Sequence, residues 1–271
     1  MINYTDCITH LVADIVSRVD ALSLLDVSQV LVFARFGRSG AEGAYATCHS
    51  LNLPTSEPGY YFWRDRATGQ LTRRSEWFVT KTPEVRLGAR RLDYLISFSL
   101  PRFCDQTLEG SRKRVHYPGL PPWVAKLDTI VHELYHIDPA AGGIRLVERA
   151  DGATEGRCHS PEFFEKVAAF VRAYLASRPD PDMYGFLEQD FAALEEKYGG
   201  VVGTTFRNFP SFPQRYPEPL HTQPESAVPL RVVPLKRPSQ PSRYTEDDLC
   251  VRQFFEHGCR RLTCKGRHRA A

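Results

Sequence analysis

The sequence predicts an α+β protein: a strand-rich N-terminal part, a helical part after it, and a basic appendage at the end. Three observations carry that expectation. Runs rich in Val, Leu, Phe and Tyr, separated by turn residues, fill the chain up to Leu100. From Trp123 onward the apolar residues recur at helical spacing. The composition, 42% hydrophobic and 25% charged over 271 residues, is that of a globular chain with room for one moderate domain and appendages. Strands and helices segregated along the chain define the α+β class.

The elements follow in order. Ile8, Leu11, Val12, Ile15, Val16 and Val19 place an amphipathic helix over 5–19, ahead of the strands. Val27–Phe36 is a strand, Gly37–Gly43 a turn, and Ala44–Leu51 a second strand. Tyr60–Arg64 and Trp77–Thr80 are aromatic strands with a turn near Thr68-Gly69, and Tyr94–Leu100 is a strand closed by Pro101. Pro121-Pro122 precede a helix from Trp123 to Ile137, which Asp138-Pro139 stop. After a loop carrying four glycines, Ser160 is the N-cap and Pro161 the first residue of a helix running to Ser177. A third helix spans Asp182–Tyr198 and ends at Gly199-Gly200. Nine of the twenty prolines lie between Thr205 and Arg243, as in an extended linker. The expected division is a body over 1–204, a linker over 205–244 and a small module over 245–271.

Charge supports the division. The net charge of +3 hides ten Lys/Arg against four acids in 231–271, so that segment is +6 and residues 1–230 are −3. No apolar run is long enough to span a membrane. The seven cysteines are an odd set, unlike a secreted disulfide framework, and the N-terminus lacks a basic-then-apolar leader. These features lead to the expectation of a reducing compartment: cytoplasm, nucleoid or nucleus.

His132-Glu133-Leu134-Tyr135-His136 carries the first chemistry. The i, i+4 spacing puts both imidazoles on one helix face, one turn apart, where they can share a metal. Leu127, Ile130, Val131, Leu134 and Ile137 supply a separate buried stripe. A catalytic zinc takes three protein ligands and leaves a fourth position for water, and a neighbouring carboxylate, here Glu133, takes the water proton. The third ligand is to be found downstream among Glu148, Asp151, Glu155 and His159. His159 is favoured, because it sits against the rigid start of the next helix in Cys158-His159-Ser160-Pro161-Glu162-Phe163-Phe164.

An H-E-x-x-H helix, a variable loop, then His-Ser with aromatics shortly after resembles the SprT-like and WLM-type zincin metallopeptidases, phage metallopeptidases among them. The resemblance covers about Tyr94 to Leu175. It implies a zincin-like domain, with His132, His136 and His159 as zinc ligands and Glu133 as general base. It also suggests substrate pairing with the strand at Tyr94–Leu100. The 22 residues between His136 and His159 make a long loop, which leaves Glu148 or Glu155 open as third ligand. His116, Tyr117 and Arg157 are candidates for stabilising an oxyanion. Cys158 is expected to be structural rather than a nucleophile.

The second constellation is Cys250, Cys259, Cys264 and His268, spaced C-x8-C-x4-C-x3-H. Thiolates and an imidazole at such spacing suit a structural zinc. The segment resembles CCCH-type zinc fingers, although no aromatic lies between Cys264 and His268. Arg260, Arg261, Lys265, Arg267 and Arg269 surround it and suit phosphate contacts, with DNA favoured over RNA. The sequence therefore leads to a zinc metallopeptidase with one catalytic and one structural Zn²⁺, acting on protein substrates brought to it by a nucleic-acid-binding finger. A protease of one repressor or antitoxin-type partner, and a non-cleaving nucleic-acid-binding regulator, are the alternatives.

Overall fold

The first helix forms where its apolar positions require it. Strand β1 (Ile2–Asn3) runs straight into α1 (Tyr4–Arg18), which buries Tyr4, Ile8, Leu11, Val12, Ile15 and Val16 along one face. The chain then builds β2 (Val30–Gly37), β3 (Ala46–Ser50), β4 (Tyr60–Arg64), β5 (Leu71–Lys81), β6 (Glu84–Leu87), β7 (Arg90–Leu92) and β8 (Tyr94–Pro101). Helix α2 (Val124–Tyr135) follows. The short strands β9 (Ile137–Asp138) and β10 (Gly143–Ile144) lead to α3 (Pro161–Ala176), α4 (Pro181–Tyr184) and α5 (Phe191–Tyr198). The last strands are β11 (Val201–Phe206), β12 (Gln214–Tyr216), β13 (Arg231–Val233), β14 (Arg243–Tyr244), β15 (Leu249–Phe255) and β16 (Gly258–Cys264). These elements come from a computed structural model that describes residues 1–51, 60–81, 83–140, 142–148, 158–207, 214–216, 230–233 and 243–264. The protein is mixed α+β, with several small sheets.

The sheet that positions the site has the order β2-β8-β3. Strand β8 lies in the middle, parallel to β2 (Val30 opposite Tyr94, Gly37 opposite Pro101) and antiparallel to β3 (Ala46 opposite Phe98, Ser50 opposite Tyr94). All eight residues of β8 are buried, because both faces of the sheet are covered. Val32, Ala34, Ile96 and Phe98 face the main core with α1, α2 and α3. Phe33 and Leu95 face a second core with Val85, Leu92, Phe206 and Tyr244.

The sequence places β8 correctly but not its role: a central strand has no open edge, so a peptide cannot pair with it. The edges of this sheet are β2 and β3, and β3 is the one that lines the histidine cleft.

Three expectations about the second half need correction. The third helix is not continuous. It breaks into α4, a 3-10 turn at Gly185–Glu188, and α5, which restarts where the Asp190 side chain accepts from Ala193 N–H. Its end is as expected: Gly199, at φ 69°, donates its N–H to Glu195 C=O.

The proline-rich stretch is not a plain linker. Val201–Phe206 is a buried strand, β12 and β13 pair with β5, and β14 pairs with β6.

The C-terminal module is not separate either. Strand β15 pairs antiparallel with β11 from Val201–Phe254 to Phe206–Leu249, and β16 adds to β15, giving a sheet of order β1-β11-β15-β16. Phe254 is fully buried in the same core as Tyr4 and Ile8. Gly203 permits this packing: a Cβ there would come within 3.0 Å of Ala34 Cβ and 3.2 Å of Thr5 Cγ2. No helix among the described residues is long and apolar enough to cross a membrane.

Candidate metal centre

Helix α2 runs through the interior with residues buried on every side, including Lys126, Asp128, Thr129 and Glu133. Buried polar groups need partners, and these have them. Lys126 Nζ donates to Gln189 C=O at 2.6 Å, and Tyr117 Oη donates to Asp128 at 2.5 Å. Lys113 Nζ pairs with Asp128 at 2.5 Å, and the Thr129 hydroxyl lies 2.9 Å from Gln106 Oε1. The helix is therefore fixed in rotation, and its last turn presents His132 and Glu133, with His136 as its C-cap.

The chain leaves α2 under tight control. Arg145 N–H donates to His136 C=O at 2.7 Å, while the Arg145 guanidinium donates to Tyr135 C=O at 3.0 Å and Ile137 C=O at 3.1 Å. It also lies 4.6 Å over the Tyr135 ring. A cation there satisfies carbonyls that the helix end leaves open. The return is equally defined: Ser160 Oγ accepts from Phe163 N–H at 3.2 Å and Pro161 opens α3, as the sequence predicts. His159 immediately precedes that cap.

Three imidazoles meet as a result. His132 Nε2 lies 3.1 Å from His136 Nε2 and 3.0 Å from His159 Nε2, and His136 and His159 are 3.0 Å apart through the same atoms. Phe163 supports the group from below, its ring 5.0, 4.9 and 5.0 Å from those of His132, His136 and His159. This is the metal-competent cluster among the described residues. Of the other third-ligand candidates, Glu148 is exposed outside the cluster, and Asp151 and Glu155 lie outside the described residues.

The arrangement suits a cation and suits protons poorly. A neutral imidazole nitrogen is either a donor or an acceptor. Three such atoms in mutual contact cannot alternate, so one contact always pairs like with like. Extra protons do not relieve this. Burial first, then the His136, Lys113 and His159 charges, push His132 down to about 2. Burial, then His159 and Arg145, push His136 down to about 4. Burial also lowers His159. Three bare lone pairs converging on one point are what a metal takes up.

Glu133 shares the cleft, which has a volume of about 450 Å³. It is only 6% exposed, and burial raises its carboxyl to about 7 against the opposing pull of the Cys48 N–H, Lys113 and Arg35. The Cys48 N–H belongs to β3, whose residues 46–48 form one wall of the cleft. Tyr45 C=O accepts from Ser99 N–H toward β8. Strand alternation then turns the backbone groups of Ala46 and Cys48 to the open edge.

Several sequence-level candidates lie elsewhere. Tyr117 is buried and bound to Asp128, and His116 lines a different surface pocket with Arg172. Neither can meet an oxyanion at the histidines, and Arg157 lies outside the described residues. Cys158 lines the cleft, and burial raises its thiol, which fits a non-nucleophilic role.

At the C-terminus, Cys250 is buried with its Sγ 3.2 Å from Thr205 Oγ1, and Cys259 Sγ lies 3.6 Å from Arg252 Nη1. The backbone of Cys264 lies opposite that of Cys250. His268, Lys265, Arg267 and Arg269 lie outside the described residues. Arg260 and Arg261 are exposed, and Arg260 donates to Gln253 Oε1 at 3.0 Å.

Sequence reasoning missed Arg145, Lys113 and Phe163 as supports of the site. Only Phe163 left a signal, as an aromatic just past His159. No family model, curated protein or solved structure matches the chain.

Proposed function

We propose that this protein is a zinc peptidase of the zincin type, with His132, His136 and His159 as metal ligands and Glu133 as general base. The observation that carries the reading is the triangle of Nε2 atoms 3.0–3.1 Å apart in one cleft with a buried carboxyl. Zinc held by three nitrogens would supply Lewis acidity toward a water and a peptide carbonyl.

The chain's own groups account for the remaining chemistry. Glu133, poised near neutrality, removes the proton of the attacking water and returns it to the leaving amine nitrogen. The outward backbone groups of Ala46 on β3 hydrogen-bond an extended peptide and lay its scissile carbonyl beside the histidines. Phe163 and the Arg145 clamp hold the imidazoles so that little reorganisation is needed on binding.

The exposed Arg260 and Arg261 near the end of the chain fit phosphate contacts. They would direct the peptidase to nucleic-acid-bound proteins, and retention on DNA that disappears with added salt would support that.

The test of the peptidase reading is cleavage of an unfolded protein such as casein by the zinc-loaded chain and by Glu133→Gln. The substitution should abolish cleavage, by about 10²–10⁴-fold, while the metal content stays unchanged. Cleavage by Glu133→Gln at the unmodified rate would remove Glu133 from the chemistry.

A further inference from the structure

Resting on the peptidase reading, we propose that the cleft selects an extended peptide with a large apolar side chain beside the bond to be cut, and that Tyr45 and Phe164 receive that side chain. Large aromatic residues are costly to leave in water, and where they stand at a cleft they mark a binding surface. Phe36, Tyr45 and Phe164 are large aromatics left exposed, at 42%, 39% and 41%. Two of the three, Tyr45 and Phe164, line the cleft that holds the histidines. They come from different elements, Tyr45 from the approach to β3 and Phe164 from the first turn of α3. The Phe164 ring lies parallel to the His159 imidazole, 5.5 Å away at 12°, and 5.9 Å from His132. It is thus a flat apolar surface beside the nitrogens, already oriented before a ligand arrives. Ala44, Ala46 and Ile144 add small or apolar surface to the same cleft.

The charges of the cleft point the same way. Among its described lining residues, apart from the histidines, the charged ones are Lys113 and Glu133. Lys113 has three N–H donors, and three acceptors surround them: Asp128 Oδ1 at 2.5 Å, Thr129 Oγ1 at 2.5 Å and Ala125 C=O at 3.3 Å. Its charge is thereby paired with Asp128 and is not available to a substrate carboxylate. Glu133 is committed to proton transfer. A charged substrate side chain would lose its water here and gain no partner, which costs binding. An apolar one would gain by covering Tyr45 and Phe164.

The test uses the full-length, zinc-loaded Glu133→Gln protein and a set of fluorescent decapeptides that differ only at a central Phe, Leu, Ser, Asp or Lys. Binding is read by anisotropy. The Phe and Leu peptides should bind about ten times more tightly than the others, or better. Phe164→Ala should erase the difference and Phe164→Tyr should keep it; Phe164 is exposed enough that neither change threatens folding. Equal binding of all five peptides, tighter binding of Asp or Lys, or no binding of any, overturns the proposal. Apolar preference in binding, together with no cleavage by the unmodified protein, upholds the apolar selection by Tyr45 and Phe164 and overturns the peptidase reading instead.

Discussion

Replacing Arg145 by Ala should weaken both the fold and the metal site, although the hydrogen bonds of Arg145 go to backbone carbonyls. The guanidinium makes two hydrogen bonds to the open carbonyls at the end of α2, Tyr135 C=O at 3.0 Å and Ile137 C=O at 3.1 Å. Each charge-assisted bond is worth about 1 kcal/mol here, below the usual range because Arg145 is only half-buried. The stacking over Tyr135 adds about 0.5–1 kcal/mol. Arg145→Ala should therefore destabilise the protein by about 2–3 kcal/mol, measured by urea unfolding of the metal-free chain. The same clamp fixes the exit of the chain from His136, so zinc affinity should fall about 10–100-fold in a chelator competition, as for other groups that orient ligands from outside. Arg145→Lys keeps the charge but not the fork, and should recover only part of both losses. Zinc affinity unchanged in Arg145→Ala, with stability reduced as expected, would refute the link between the clamp and the site. No change in either would refute the energetic reasoning as well.

Two further outcomes follow from burial. In the metal-free protein, acidification should cost stability. The His136 imidazole is held at about 4 when folded, against an ordinary 6.5. Its contribution is therefore complete above pH 6.5 and is lost as the pH falls toward 4, worth at most ~3 kcal/mol. His132 acts in the same direction and further. Glu133, raised to about 7, acts oppositely: its contribution is complete below 4.5 and is lost as the pH rises through 7. Two imidazoles against one carboxyl leave a net loss on acidification, and melting of the chelator-treated protein between pH 7.5 and 5 should show it. A flat profile would contradict the burial of the cluster. At the C-terminus, Phe254→Ala should cost the whole protein about 3–5 kcal/mol, because the ring is fully buried in the main core. An independent C-terminal module would leave the unfolding of the body untouched.

The site was legible where the information is local. The spacing of His132 and His136, the run Ser160-Pro161 and the position of His159 before it are short-range signals, and the structure brings those three histidines together. What assembles around them is long-range. Lys113 reaches Asp128 and Thr129 across a turn, and the network of α2 reaches Gln106, Tyr117 and Gln189. No periodicity marks such pairs. Strand β8 reads as a strand because Tyr94, Leu95, Ile96, Phe98 and Leu100 fill it with strand-forming residues, but that run does not say whether the strand is an edge or a centre, so it does not mark β3 as the wall of the cleft. The cysteine spacing of the C-terminal segment says nothing about Phe254, which lies between Cys250 and Cys259 and fastens β15 to the core. Strands of two or three residues such as β12, β13 and β14 are too short to rise above a proline-rich background.

The most direct test of the central claim is X-ray absorption at the zinc edge on the full-length protein loaded with one equivalent of zinc. The triangle of His132, His136 and His159 predicts a shell of nitrogen and oxygen at about 2.0–2.1 Å with the outer scattering of three imidazoles, reduced to two in His159→Ala. Sulfur neighbours at about 2.3 Å would place the first metal on the cysteines instead, and a shell without imidazole scattering would contradict the metal centre altogether.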